Sequence, residues 1–179
     1  MFVSGKPYTG IIRPVLDSNI KTIAFDDGAA HFDARYFPVV LITWFGVISE
    51  PGIQIYSEWV DRMASRASEE STRMFLIEDI SDCERPTPEV RRLLGRTLTQ
   101  LAKRHGTLYL GGSMIIPSAF MRAAFTIVKV LAGNLLDYKP VKGVEDAMER
   151  AFSMLDEAGI ERPEDLDPAT YRRPDRPTP

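Results

Sequence analysis

The chain predicts an α/β fold built on a mixed β-sheet, and three observations carry that prediction. Three β-rich segments come first, between residues 21 and 48. Helical and strand periods alternate from residue 51 onward, and turn or cap residues stand at most changes of period. Tandem strands followed by alternating helices and strands give antiparallel pairing on one side of a sheet and parallel pairing, joined by helices, on the other. About five strands covered by about four helices are expected. They should form one domain over residues 21–160, flanked by a flexible N-terminal arm over 1–20 and a Pro-rich disordered tail over 161–179.

The first two strands, 21–25 and 29–32, flank Asp26-Asp27-Gly28, and Asp-Gly between apolar segments supplies the positive φ angles of a tight hairpin. VVLITWFGVIS, from residue 39, is β-branched and aromatic at both parities, as a strand covered on both faces should be, with Gly46 marking a bulge or a close approach. After Pro51-Gly52, Ile55, Tyr56, Trp59, Val60, Met63 and Ala67 recur at helical steps. TRMFLIEDI is the next strand. Residues 88–105 form a second helix with Val90, Leu93, Leu94, Leu98, Leu101 and Ala102 on one face, Thr87 as N-cap and Pro88 at the first helical position.

Residues 107–116 read as an apolar strand interrupted by Gly111-Gly112, and 118–131 as a third helix stopped by Gly133. A short strand over 135–138 and a fourth helix over 144–158, closed by Gly159, complete the domain. The tail carries five prolines in nineteen residues and almost nothing apolar to bury, which predicts disorder or a drape over the surface.

Composition excludes several classes of function. With 22 basic against 25 acidic residues and a net charge of −3, nothing points to nucleic acid or an anionic membrane as the main partner. The longest apolar run, 39–48, is too short to span a bilayer as a helix, so no membrane span is expected. Cys83 is the only cysteine, which rules out an intramolecular disulfide and fits a reducing, cytoplasmic setting. No catalytic residues, metal or cofactor are expected. His31 and His105 lie apart without ligands at metal spacing, and His105, beside Gly106, reads as a partner for the last carbonyls of its helix. Cys83, between Asp82 and Glu84, should have a raised thiol pKa and little reactivity.

The stretch with the most chemistry is LIEDISDCERPTPEVRRLL, residues 76–94, where a buried strand ends in acids and a proline-stiffened loop. Its polar residues Asp79, Asp82, Glu84, Thr87 and Arg91 form one candidate partner-binding surface over 79–92. Ser81 and Thr87 are the hydroxyls at which a phosphate would change its charge. The third helix, SAFMRAAFTIVKVLAG, supplies a second surface. Its polar stripe is only Arg122, Thr126 and Lys129, so Met121, Phe125 and Val128 beside it exceed what packing on one sheet requires. A protein partner, a homodimer or an apolar ligand would cover them.

MFLIEDIS and YKPVKGVEDAMERA, in this element order, resemble the central and closing segments of STAS domains of the anti-sigma-factor antagonist, SpoIIAA-like type, over roughly residues 23–158. That resemblance implies a non-enzymatic module that binds a regulatory kinase or anti-sigma factor and is switched by phosphorylation at the start of the helix after the central strand. By position Asp79 matches the strand-ending Asp, and Thr87 is the hydroxyl closest to the phosphoacceptor. The chain departs from the pattern there: the usual Asp-Ser pair is absent, the loop 81–86 is longer, and Pro88 follows Thr87.

Two other readings stay open at this point. A carrier or sensor of an apolar ligand or lipid would use the wall formed by the third helix. A receiver-like phosphoacceptor would gather Asp26-Asp27, Asp79, Ser113 and Lys139 around magnesium, although a hairpin turn is the wrong place for its paired acids.

Overall fold

The computed structural model describes residues 19–25, 27–116 and 137–177. The α/β class and the mixed sheet are those expected from the sequence. Six strands form one sheet in chain order: β1 (Ile20–Ala24), β2 (Gly28–Asp33), β3 (Val39–Gly46), β4 (Met74–Cys83), β5 (Tyr109–Ile115) and β6 (Tyr138–Val141). The pairs β1–β2 and β2–β3 are antiparallel, and β3–β4, β4–β5 and β5–β6 are parallel. The described α-helices are α1 (Glu50–Glu69), α2 (Pro88–His105) and α3 (Val144–Glu157). The short last strand expected over 135–138 lies a few residues further on, at Tyr138–Val141, where it pairs with β5 as the sixth strand of the sheet. The third helix expected over 118–131 lies outside the described residues, as does most of the N-terminal arm.

Local chemistry accounts for the helix starts. Ser49 accepts a hydrogen bond from the Gly52 N–H at 3.4 Å to open α1, and Thr87 accepts from Val90 N–H at 3.3 Å to open α2. Each side chain replaces one of the partners that the first turn lacks, and Pro88 loses nothing at a position without an intrahelical acceptor. β4 runs three residues further than TRMFLIEDI suggested, because Phe45 and Gly46 pair with Asp82 and Cys83. The loop therefore begins at Glu84, whose N–H is held by the Gly46 carbonyl at 2.9 Å.

The faces of the sheet differ. Successive strand residues point to opposite sides, so Phe32, Val40, Ile42, Trp44, Met74 and Leu76 meet α1 and α2, while Val39, Leu41, Phe75 and Ile77 meet α3 and the tail. The α1 side is the denser, with the Trp59 ring 5.3 Å from Phe32 and Tyr56 5.9 Å from Trp44. On the other side α3 packs on β4, β5 and β6. Its main contacts stop at β4, so Val39 and Leu41 of β3 are covered from elsewhere.

That cover is the tail. The sequence reads residues 161–179 as disordered or draped on the surface; in the structure Leu166 is buried at 4% exposure in the α3-side core and Tyr171 packs against that core. Leu166 and Tyr171 are few, but they fall where α3 leaves apolar surface uncovered.

Candidate functional site

Near the carboxyl side of the sheet Thr43, Asp79 and Ile115 stand in register; β5 ends there, while β3 and β4 run on together to Gly46 and Cys83. On the α3 side of this edge is a cleft of about 270 Å³. Leu41, Ile77 and Ile115 form its apolar floor, Thr43, Asp79 and Ser81 one rim, and Lys142 and Val144 the other, with Tyr171 and Arg173 laid across it.

Asp79 is 8% exposed and fully engaged. Its Oδ1 accepts from the Ser81 N–H at 2.8 Å and from Ser81 Oγ at 2.5 Å, and its Oδ2 accepts from Arg173 Nε at 2.6 Å. Asp82, on the exposed end of the strand, accepts from Arg173 Nη1 at 2.7 Å. The guanidinium also stacks 5.0 Å from the centre of the Phe45 ring. Burial works against the Arg173 charge, but the hydrogen bond and the negative charges of Asp79 and Asp82 outweigh it and raise its pKa. Burial, together with the charges of Asp33 and Asp79, pushes the Tyr171 hydroxyl up to about 12, with a hydrogen bond to Thr43 opposing the shift. Asp79 and Asp82 are thus spaced to share one guanidinium, the geometry suited to an arginine on an extended segment.

The expected 79–92 surface divides at Cys83. Asp79, Ser81 and Asp82 gather around Arg173, whereas Thr87 and Arg91 sit at the start of α2, which packs on the opposite face. Thr87 is exposed, but its hydroxyl is occupied as the α2 cap and also serves the Glu89 carboxylate, whose own N–H and Thr87 hold it below the usual range. Arg91 donates to the Pro86 carbonyl at 2.8 Å and so braces the loop, and Glu84 is exposed. Met121, Phe125 and Val128 lie outside the described residues.

Across the sheet is a second acid that sequence reasoning passed over. Glu78 points to the α1 side, 5% exposed, and its Oε1 accepts from the hydroxyls of Tyr56 and Tyr138, each at 2.9 Å. Burial pushes its carboxyl above the ordinary glutamate range, although both tyrosine hydrogen bonds favour the charged form. Tyr138 reaches it across β5 because residue 112 is glycine: a Cβ there would stand 2.6 Å from Tyr138 Cζ.

The remaining chemistry stays dispersed. Asp27 sits in the β1–β2 turn with its carbonyl bonded to Val47 N–H, Ser113 is wholly buried two residues before the end of β5, and Asp26, the other acid of the receiver reading, lies outside the described residues. Among the described residues no group of three His, Cys, Asp or Glu is placed to hold a metal ion. His105 bonds Asp61 on α1 at 2.7 Å rather than capping its own helix, because Asp61 faces it across the α1–α2 contact. The Cys83 thiol is raised as expected, by burial first and the neighbouring acids second. No described helix is long and apolar enough to cross a membrane.

Comparison with known proteins gives a likeness of fold. No family model matches the chain, and no curated protein does. Among solved structures it is similar to an uncharacterized protein of the DUF3478 family with a SpoIIAA-like fold from Shewanella loihica PV-4. Identity there is 11% and the TM-score 0.45, over 74% of this chain and 91% of that one. It is also similar to an anti-sigma factor antagonist from Mycobacterium paratuberculosis, at 14% identity and a TM-score of 0.42, over 74% of this chain and 94% of that one. The observed order agrees with the STAS-like fold that the sequence motifs imply: MFLIEDIS is the central strand, and YKPV, a turn and an acid-led helix close the domain. At such identities the function has to be argued from this chain's own side chains.

Proposed function

We propose that the chain is a non-enzymatic regulatory module that binds a protein partner at the carboxyl edge of its sheet, through Asp79, Ser81, Asp82 and the loop leading to Thr87 and Arg91. One observation carries the reading: Asp79 and Asp82 already grip a guanidinium presented by an extended piece of polypeptide, over an aromatic ring and beside an apolar cleft. Two carboxylates and an apolar floor make a surface that recognises peptide rather than a reacting centre. A regulatory kinase or an anti-sigma factor is the kind of partner that the STAS resemblance implies.

Phosphorylation would switch this surface through charge. A phosphate on Ser81 adds nearly two negative charges beside Asp79 and removes the hydroxyl proton that Asp79 now accepts. On Thr87 it would stand at the α2 N-terminus, where the helix dipole favours an anion. The test is affinity capture on the full chain, comparing wild type with Asp82→Lys, Ser81→Glu and Thr87→Glu, and using Glu69→Lys on the far end of α1 as control. A stoichiometric partner retained by the control and lost with Asp82→Lys is the expected result. An identical set of captured proteins for wild type and Asp82→Lys would overturn the reading.

A further inference from the structure

Residues 160–177 do more than cover β3. We infer that this tail is an internal competitor for the partner site: Tyr171 and Arg173 occupy the place that an aromatic- and arginine-bearing extended segment of the partner takes, and binding requires their displacement. The inference rests on the partner-binding reading and names the partner's chemistry.

Its first support is what the tail touches. Arg173 spans 94 residues of sequence to reach Asp79 and 91 to reach Asp82, the two acids of the proposed surface, and Tyr171 lines the same cleft. The second is how the tail is held. The Ile160 N–H bonds the Leu155 carbonyl at the end of α3, and beyond it the described backbone hydrogen bonds are internal turns, Leu166 to Pro163 and Thr170 and Tyr171 to Asp167, with none among them to a strand. Pro163, Pro168, Pro174 and Pro177 each lack an N–H to give one. The described contacts with the strands are therefore made by side chains, and Arg173 Nη2 is buried without a protein acceptor. An unmatched donor costs free energy that a better-fitting guanidinium would recover.

The hinge is the third support. Gly159, with φ +67°, ends the helical region, so the tail can leave without unwinding α3. Leaving exposes Asp79, Asp82, Phe45 and Leu41 together, two carboxylates over apolar surface. What fits there is another extended segment with an aromatic ring two residues before an arginine. Tethering presents the tail to its own site at an effective concentration of about millimolar, so it suppresses weak competitors and yields to strong ones.

The probe is a fluorescent synthetic peptide of residues 166–177, titrated by anisotropy into the full chain. The Tyr171→Ala/Arg173→Ala variant should bind it about tenfold or more tightly than wild type, because the tethered competitor is disabled. Asp79→Asn added to that variant should abolish the gain. Arg173→Gln, which leaves Tyr171 and Leu166 in place, guards against a folding failure and should give a smaller gain; circular dichroism checks each fold. Equal affinity for wild type and both tail variants, or no binding to a folded tail variant, would overturn the inference. Capture separates the two claims: a partner held equally by wild type and the tail variant sinks the competitor and spares the binding module. Peptide competition without any captured partner does the reverse.

Discussion

Glu78 and Asp79 are neighbours in one strand and face opposite sides of the sheet. Glu78 enters a dry core sealed by α1 and α2, where two tyrosine hydroxyls, delivered from α1 and β6, supply its hydrogen bonds and burial keeps its carboxyl pKa high. Asp79 stands at an edge, paired with an arginine that belongs to a removable tail. The pair teaches that burial alone does not say what an acid is for. One is locked by groups that cannot leave without unfolding the protein, and the other by a group that, in the competition proposed above, is exchanged for one on another chain.

The contrast predicts unequal responses to mutation. Trp59→Ala, in the α1-side aromatic cluster and wholly buried, should cost about 3–5 kcal/mol in urea unfolding, whereas Leu166→Ala in the tail should cost about 2, because a detached tail leaves less cavity behind. Equal losses would mean that the two faces are built alike. Gly112→Ala comes next. Its Cβ would collide with the Tyr138 ring, so a loss of about 1–3 kcal/mol is expected, with the Glu78–Tyr138 hydrogen bond broken. Retention of full stability would show that the ring is free to move.

Glu78→Gln sharpens the comparison through pH. An acid whose pKa is raised on folding contributes stability that is complete below its unfolded value of 4.5 and is lost as pH rises through the higher folded value. Wild type should therefore lose up to about 1.4 kcal/mol per pH unit in that window, on account of this one group. The amide keeps an Oε1 that can accept from both tyrosines and has no proton to lose. Denaturant midpoints across pH should be flatter for the variant and higher above the window; parallel curves would remove Glu78 as the cause. The smallest effect is expected from Thr87→Ala, about 0.5–1 kcal/mol for one cap at an exposed helix end. A much larger loss would place Thr87 in contacts beyond the cap.

Much of the fold was legible in the chain. The α1 stripe from Tyr56 to Ala67 is buried as its spacing requires, α2 starts and ends where Pro88 and His105 stand, and VVLITWFG is covered on both faces. Half of the site was legible too, since Asp79, Ser81 and Asp82 stand in the last part of a strand, where apolar residues give way to polar ones. The other half was not. Nothing local in TYRR says that Arg173 meets residues more than ninety positions away, and the tail's prolines outweigh its two anchors in any average over composition. Glu78 was passed over for a similar reason: a carboxylate at the end of an apolar run reads as a strand end, and it takes the packing of α1 to bring Tyr56 to it and the sheet's register with Gly112 to bring Tyr138.

What the sequence by itself determined was the order and period of the elements, because caps, turns and apolar spacing act over a few residues and need no distant partner. Tertiary structure decided which acid is sealed in the core and which is held by the tail. Strand pleating turns Glu78 and Asp79 to opposite faces, and the partners that define each arrive from segments far away in the chain, where local pattern carries no information about contact.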